Sequence, residues 1–206
     1  MILLSMVPAI AGSVRVAEIA SGADVTPANA RFIAAPIPVV LHIVTAIVFS
    51  FLGALQLSPA FRKRRRALHR VMGRIVVPAG FVVAATGLWM TLTIPSPPED
   101  GLLVYLERLV FGTAMLASMI LGVDAIRRRD FTAHGAWMMR AYAIGLGAGT
   151  QVLTHLPWFI LVGGKPGELP RAVMMGAGWV INVMVAEWVI RRPRGIGAPA
   201  ALRVAG

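Results

Sequence analysis

The sequence predicts an all-α fold: a polytopic integral membrane helix bundle of six transmembrane helices, the first one weak, with both termini cytoplasmic. Three observations predict it. The 206 residues are 57% apolar and only 14% charged, whereas charged residues make up about a quarter of an ordinary soluble chain. A core-and-surface protein this short would need a larger polar surface than that. Apolar runs of about 20 residues recur along the chain, the length that crosses a hydrocarbon core of roughly 30 Å at 1.5 Å per residue. The basic residues, which leave a net charge of +11, fall in alternate loops.

The first run, residues 2–20, is uncharged only as far as Val14 and carries Pro8, Arg15 and Glu18. A signal peptide competes with a span here. No basic residue precedes the apolar stretch and no small-residue cleavage site follows it, which favours a short first span. The second run, 37–57, and the fourth, 104–126, are clear spans. Pro78 should bend the third (75–94), and Pro157 the fifth (139–162), near one end. The fifth also holds Gly145, Gly147 and Gly149, and the sixth (172–190) holds Gly176 and Gly178. Small residues at such spacing let helices approach closely, although glycine is common in membrane helices generally. The loops are short, so residues 1–206 read as a single membrane domain, with 195–206 a disordered cytoplasmic tail. No internal repeat supports an inverted-repeat transporter.

One group of loops and ends contains Arg62, Lys63, Arg64, Arg65, Arg66, Arg70, Arg74, Arg127, Arg128, Arg129, Arg140, Arg191, Arg192, Arg194 and Arg203. Those fifteen cations face three acids, Asp124, Asp130 and Glu187, giving +12, and the remaining charges sum to −1. Cytoplasmic loops carry the Lys and Arg excess, so the split orients six spans in a bacterial cytoplasmic (inner) membrane and requires the first helix to cross. The expected partners are the bilayer and anionic lipid at the cytoplasmic face. The Arg62 to Arg66 run loses its nucleic-acid reading once it lies between two spans. Trp137, Tyr142 and Trp188 then fall at the inner ends, and Tyr105 and Trp158 at the outer ends, as interfacial anchors should.

The chain has no cysteine, which excludes disulfides, thiolate metal sites and cysteine nucleophiles. Phosphate-cradling, nucleophile-elbow and His-Glu-x-x-His motifs are absent, so no catalytic residue is expected and an enzyme is the less favoured reading. Four histidines carry most of the functional question. His42 lies about 7 to 8 Å below the outer end of its span at 1.5 Å per residue, and His155 at a similar depth. His69 and His134 lie in the two basic loops, each just ahead of a span. One pair per face is the arrangement that two haem b groups need, each held by two imidazoles. Arg70, Arg74 and Arg140 are candidate partners for the propionates. A divalent metal using the same histidines with Glu107 or Met138 is the weaker alternative.

Among polar groups inside the spans, Gln56 shares a helix with His42 and Thr45, Gln151 lies in a Thr150, Gln151, Thr154, His155 patch, and Asn182 is deepest in the sixth. They suggest a small cavity or proton path between helices two, five and six, but interhelical hydrogen bonding weighs more. Glu107 with Arg108, Asp124 with Arg127 and Arg128, and Glu187 with Arg191 read as interfacial ion pairs. The leading functional expectation is a haem b electron carrier or redox-linked membrane subunit with a redox partner. The alternatives are a small-solute or proton transporter, and a non-catalytic scaffold docking through its cytoplasmic arginines.

The segments PVVLH (38–42), LHRVMGR (68–74), AIRRRD (125–130) and HGAWMMRAYA (134–143) resemble a bacterial family of predicted membrane proteins, domain of unknown function 2306. The resemblance covers about residues 36–142, half the chain, and GAGWVINVMVAEWVIRR (176–192) looks like the same subgroup. It implies a multi-helix membrane protein whose signature includes His42, His69 and His134. His155 is outside that signature, and Gly135 stands where the motif often has Arg. A looser similarity to dihaem cytochromes of the b561 type rests only on histidines at two depths on neighbouring helices.

Overall fold

The computed structural model describes residues 1–192; the tail expected at 195–206 lies outside them. Every regular element among the described residues is helical. The elements are α1 (Ile2–Ala20), α2 (Ala30–Ile33), α3 (Pro36–Leu57), α4 (Pro59–Arg64), α5 (Arg66–Thr93), a 3-10 turn (Pro98–Asp100), α6 (Gly101–Arg127), α7 (Phe131–Gly145), α8 (Gly147–Leu161) and α9 (Glu168–Arg191). Helices α1, α3, α5, α6 and α9 are each long and apolar enough to cross a membrane.

Two elements begin earlier than hydropathy predicts, and both differences move a histidine. Helix α5 starts at Arg66 rather than at residue 75. Arginine and alanine are good helix formers, nothing in 66–74 breaks the helix, and long arginine side chains reach the headgroups from a buried backbone. Helix α7 starts at Phe131 rather than at residue 139, because the Asp130 carboxylate accepts the Ala133 N–H at 2.9 Å and caps it. His69 and His134 therefore sit on helices, not in loops.

The fifth predicted span is not one helix. It is broken at Leu146, between α7 and α8. Both halves run antiparallel to α9 in one register: Arg140 pairs with Glu187, Asn182 donates to the Ala143 carbonyl, and Gln151 and Thr154 donate to the Met175 and Met174 carbonyls. The two halves thus follow one another along α9 with a joint between them. Glycine is a poor helix former, and three glycines at the joint are each pressed against a different helix. A Cβ on Gly145 would stand 2.8 Å from Phe49 of α3. One on Gly147 would collide with the Trp179 ring of α9, and one on Gly149 with the Leu4 carbonyl of α1. Replacing Gly149 by valine should push α1 off α8 and cost roughly 1–3 kcal/mol, which a denaturation midpoint in detergent will register.

Inside, Phe49, Val83, Ala84, Met115, Met119, Ala141 and Tyr142 form a continuous apolar core. The Phe49 and Tyr142 rings lie 5.8 Å apart, and the Tyr142 hydroxyl donates to the Ser50 carbonyl at 2.9 Å. Outside, large apolar residues such as Leu102, Leu161, Val173 and Trp188 stand exposed. A bilayer is the solvent that suits such an apolar exterior, since a helix satisfies most of its backbone groups within itself.

Candidate functional site

A cavity of about 470 Å³ opens between α1, α3, α5, α6 and the α7/α8 joint. It falls in the range of small-molecule sites, roughly 300–1,000 Å³. Its lining residues extend over two or more turns of the helices. At one end stand Arg31, Ser96 and Arg108; at the other, Ser50, Met115 and Gly145. Along α3 alone, His42 and Ser50 both line it, a separation of about 12 Å at 1.5 Å per residue. Its walls are mainly apolar, Arg31 and Arg108 are the charged lining residues, and no carboxylate lines it.

The His42 ring is held in one tautomer. Its Nδ1 lies 3.2 Å from the Val83 carbonyl and 3.1 Å from the Thr86 hydroxyl oxygen. The Thr86 hydroxyl already donates to the Val82 carbonyl at 2.5 Å, so both Nδ1 neighbours act as acceptors. The neutral ring must then carry its proton on Nδ1 and keep the lone pair on Nε2. A carbonyl on one ring nitrogen, leaving the other as ligand, is the arrangement that orients metal-binding imidazoles. Thr86 and Val83 face inward on α5 and are buried; sequence alone marks them only as residues of an apolar run.

Arg108, at one end of the cavity, also belongs to an ion cluster beside it. Asp100 closes the 3-10 turn ahead of α6, is 0% exposed, and meets two arginines: Arg108 Nη2 at 2.6 Å and Arg171 Nε at 2.5 Å. It ties the α5–α6 connection to α6 and α9. Arg108 therefore pairs with Asp100 and not with its neighbour Glu107, which corrects the expected pairing. Glu107 faces Gly176 of α9 instead, with Oε2 buried.

The other sequence candidates lie elsewhere. His155 is buried, donates from Nδ1 to the Gln151 carbonyl at 2.7 Å and lies 6.5 Å from the Phe159 ring. It does not line the cavity that His42 lines. His134 donates from Nδ1 to the Gly122 carbonyl at 2.8 Å, while His69 Nδ1 is buried without a partner. These two stand in the first turns of α7 and α5, where Arg62 of α4 reaches within 3.9 Å of where a Gly135 Cβ would be. Of the proposed propionate partners, Arg70 and Arg74 are exposed. Arg140 is engaged with both Glu187 oxygens, at 2.5 and 3.2 Å, and its guanidinium lies 4.4 Å from the Trp137 ring centre. No group of three or more His, Asp and Glu side chains suited to a metal ion occurs among the described residues.

The intramembrane amides are spent on helix contacts. Gln56 donates to the His69 carbonyl at 3.1 Å and Gln151 to the Met175 carbonyl at 3.1 Å. Asn182 accepts from the Thr150 hydroxyl at 2.8 Å and donates to the Ala143 carbonyl at 3.1 Å. Asn182→Leu removes both of its bonds and should destabilise the α9 seam by about 1–2 kcal/mol, given that such contacts average ~0.6 kcal/mol each and Thr150 is left unpaired. Unfolding in mixed micelles measures this.

A family model described as a predicted membrane protein, DUF2306, matches residues 39–190. No curated protein and no solved structure matches the chain.

Proposed function

Because the chain belongs to the DUF2306 family of predicted membrane proteins, whose description names no activity, we propose a function from its own residues: a haem b-binding, redox-linked protein of the bacterial cytoplasmic membrane. In this reading the outer cavity holds the haem through His42. The observation that carries it is the His42 ring on the cavity wall, with Nδ1 committed to Val83 and Thr86 and the Nε2 lone pair left for a ligand. The rest of the cavity fits the same group. Its apolar walls suit a macrocycle, and Arg31 at one end suits a propionate, while Arg108 beside it is already shared with Asp100. Met90 and Met115 also line it, so a thioether rather than His155 would be the second side chain available to hold the group. A haem bound there would supply one-electron chemistry at membrane depth; the protein's part would be to hold it, orient the imidazole and exclude water.

We further propose six crossings, with α7 and α8 together making the fifth and both termini on the arginine-rich cytoplasmic side. The shared register of α7 and α8 along α9 supports this, as does the alternation of charge. A transporter draws less support, because Gln56, Gln151 and Asn182 bond neighbouring helices and the cavity is mainly apolar. A scaffold would act through exposed arginines such as Arg64, Arg65 and Arg66, which the haem reading leaves free to meet anionic lipid or a redox partner.

The test is a hemin titration of the purified protein in detergent, followed in the Soret region. A saturable shift at one hemin per chain is the expected result. Non-saturating absorbance equal to that of empty micelles overturns the reading.

A further inference from the structure

We propose that the outer end of the cavity is a subsite for the carboxylate end of an amphiphilic ligand, and that Arg31 supplies the charge that holds it. The inference rests on the cavity being a ligand site, as in the preceding reading, but not on that ligand being haem. Four arginines meet two carboxylates in this corner of the molecule. Arg15 is paired with Glu18 at 2.5 Å, and Arg108 and Arg171 share Asp100. Arg31, on the short α2, has no carboxylate within ion-pair distance among the described residues, although it is half-buried and lines the cavity. Its guanidinium lies 4.4 Å from the centre of the Phe32 ring, which Arg15 also approaches at 4.5 Å.

Four further acids lie on this side; Asp24, in the loop before α2, is exposed and forms no ion pair among the described residues, and the other three face elsewhere. Glu99 is paired with Lys165 at 2.7 Å, Glu107 faces Gly176, and Glu168 lies against Gly101 in a separate recess. Burial depresses the proton affinity of Arg31; Asp100 opposes that effect, and Arg108, Arg171 and Arg15 add to it. An arriving carboxylate relieves both the desolvation and the repulsion, because a charge-assisted contact to guanidinium can be bidentate. The cavity below is mainly apolar and its lining reaches from His42 to Ser50 along α3, so the body behind that carboxylate is a chain or a flat macrocycle rather than a compact polar solute. Haem propionates and a fatty acid share this chemistry.

The experiment compares each acid with its own ester on the full-length protein and on R31Q and R31K variants that elute from size exclusion as the wild type does. One arm titrates hemin against hemin dimethyl ester by absorbance. The other titrates bromostearic acid against its methyl ester, read by quenching of Trp179, which lines the cavity, with Trp179→Phe as control. The wild type should prefer at least one acid over its ester by roughly tenfold or more, the scale of one hydrogen bond to a charged group. R31Q should lose that preference and R31K keep most of it. Preference for bromostearic acid without any hemin binding would support the subsite and refute the haem reading. Equal binding of acid and ester in both arms, no binding in either, or an undiminished preference in R31Q would overturn the inference.

Discussion

Replacing Asp100 by alanine should lower the stability of the folded protein by about 3–5 kcal/mol, the usual cost of removing one partner of a buried ion pair. The magnitude follows from the site. Asp100 is fully buried, while Arg108 and Arg171 are each about a quarter exposed, so two guanidiniums are left partly desolvated without their counter-charge. The loss also frees the α5–α6 connection from α9, because that one carboxylate joins them. Asp100→Asn keeps the shape and leaves the same cations unpaired, so it should also destabilise. Unfolding by denaturing detergent in mixed micelles, followed by tryptophan fluorescence, measures both variants. A change below 1 kcal/mol for the alanine variant would mean that the two arginines find other partners.

If His42 holds a haem as proposed, replacing it by alanine should weaken hemin binding at least a hundredfold, since loss of an outer-shell partner alone costs about 10- to 100-fold. Thr86→Val is the graded control. It removes one of two acceptors on Nδ1 and leaves the Val83 carbonyl, so its effect should be smaller and in the same direction. His155→Ala should leave hemin affinity within a few-fold of wild type, because His155 does not line the cavity. Equal losses in the His42 and His155 variants would instead favour a ligand pair across the bundle.

Much of the fold was legible because hydropathy reads an uninterrupted span well. The run expected at 37–57 is α3, Pro36–Leu57, since no charge interrupts it and Pro36 starts it. The arginine-rich start of α5 was not legible, because hydropathy scores Arg66, Arg70 and Arg74 as loop while their backbone is helical. The joint at Leu146 was hidden for the opposite reason: Gly145 to Gly149 remains apolar, and the break depends on Phe49, Trp179 and Leu4 pressing from three other helices.

The site divides in the same way. His42 stood out because a histidine within a span is costly. Its partners Val83 and Thr86, and the approach of Arg31 and Arg108 to one cavity, depend on how α2, α3, α5 and α6 pack. In the sequence Arg31 was only part of the remaining charge, and Arg108 read as the partner of Glu107. His42 and His155 share an expected depth, but depth along a helix says nothing of which way a ring points, and only His42 lines the cavity.

If this protein carries haem b in the membrane as proposed, the dithionite-reduced minus oxidised absorbance spectrum of wild-type protein purified from haem-replete cells should show a Soret band and a resolved α band at about one haem per chain, both absent from His42→Ala. A flat difference spectrum from well-folded wild-type protein, or bands unchanged in the His42 variant, would contradict it.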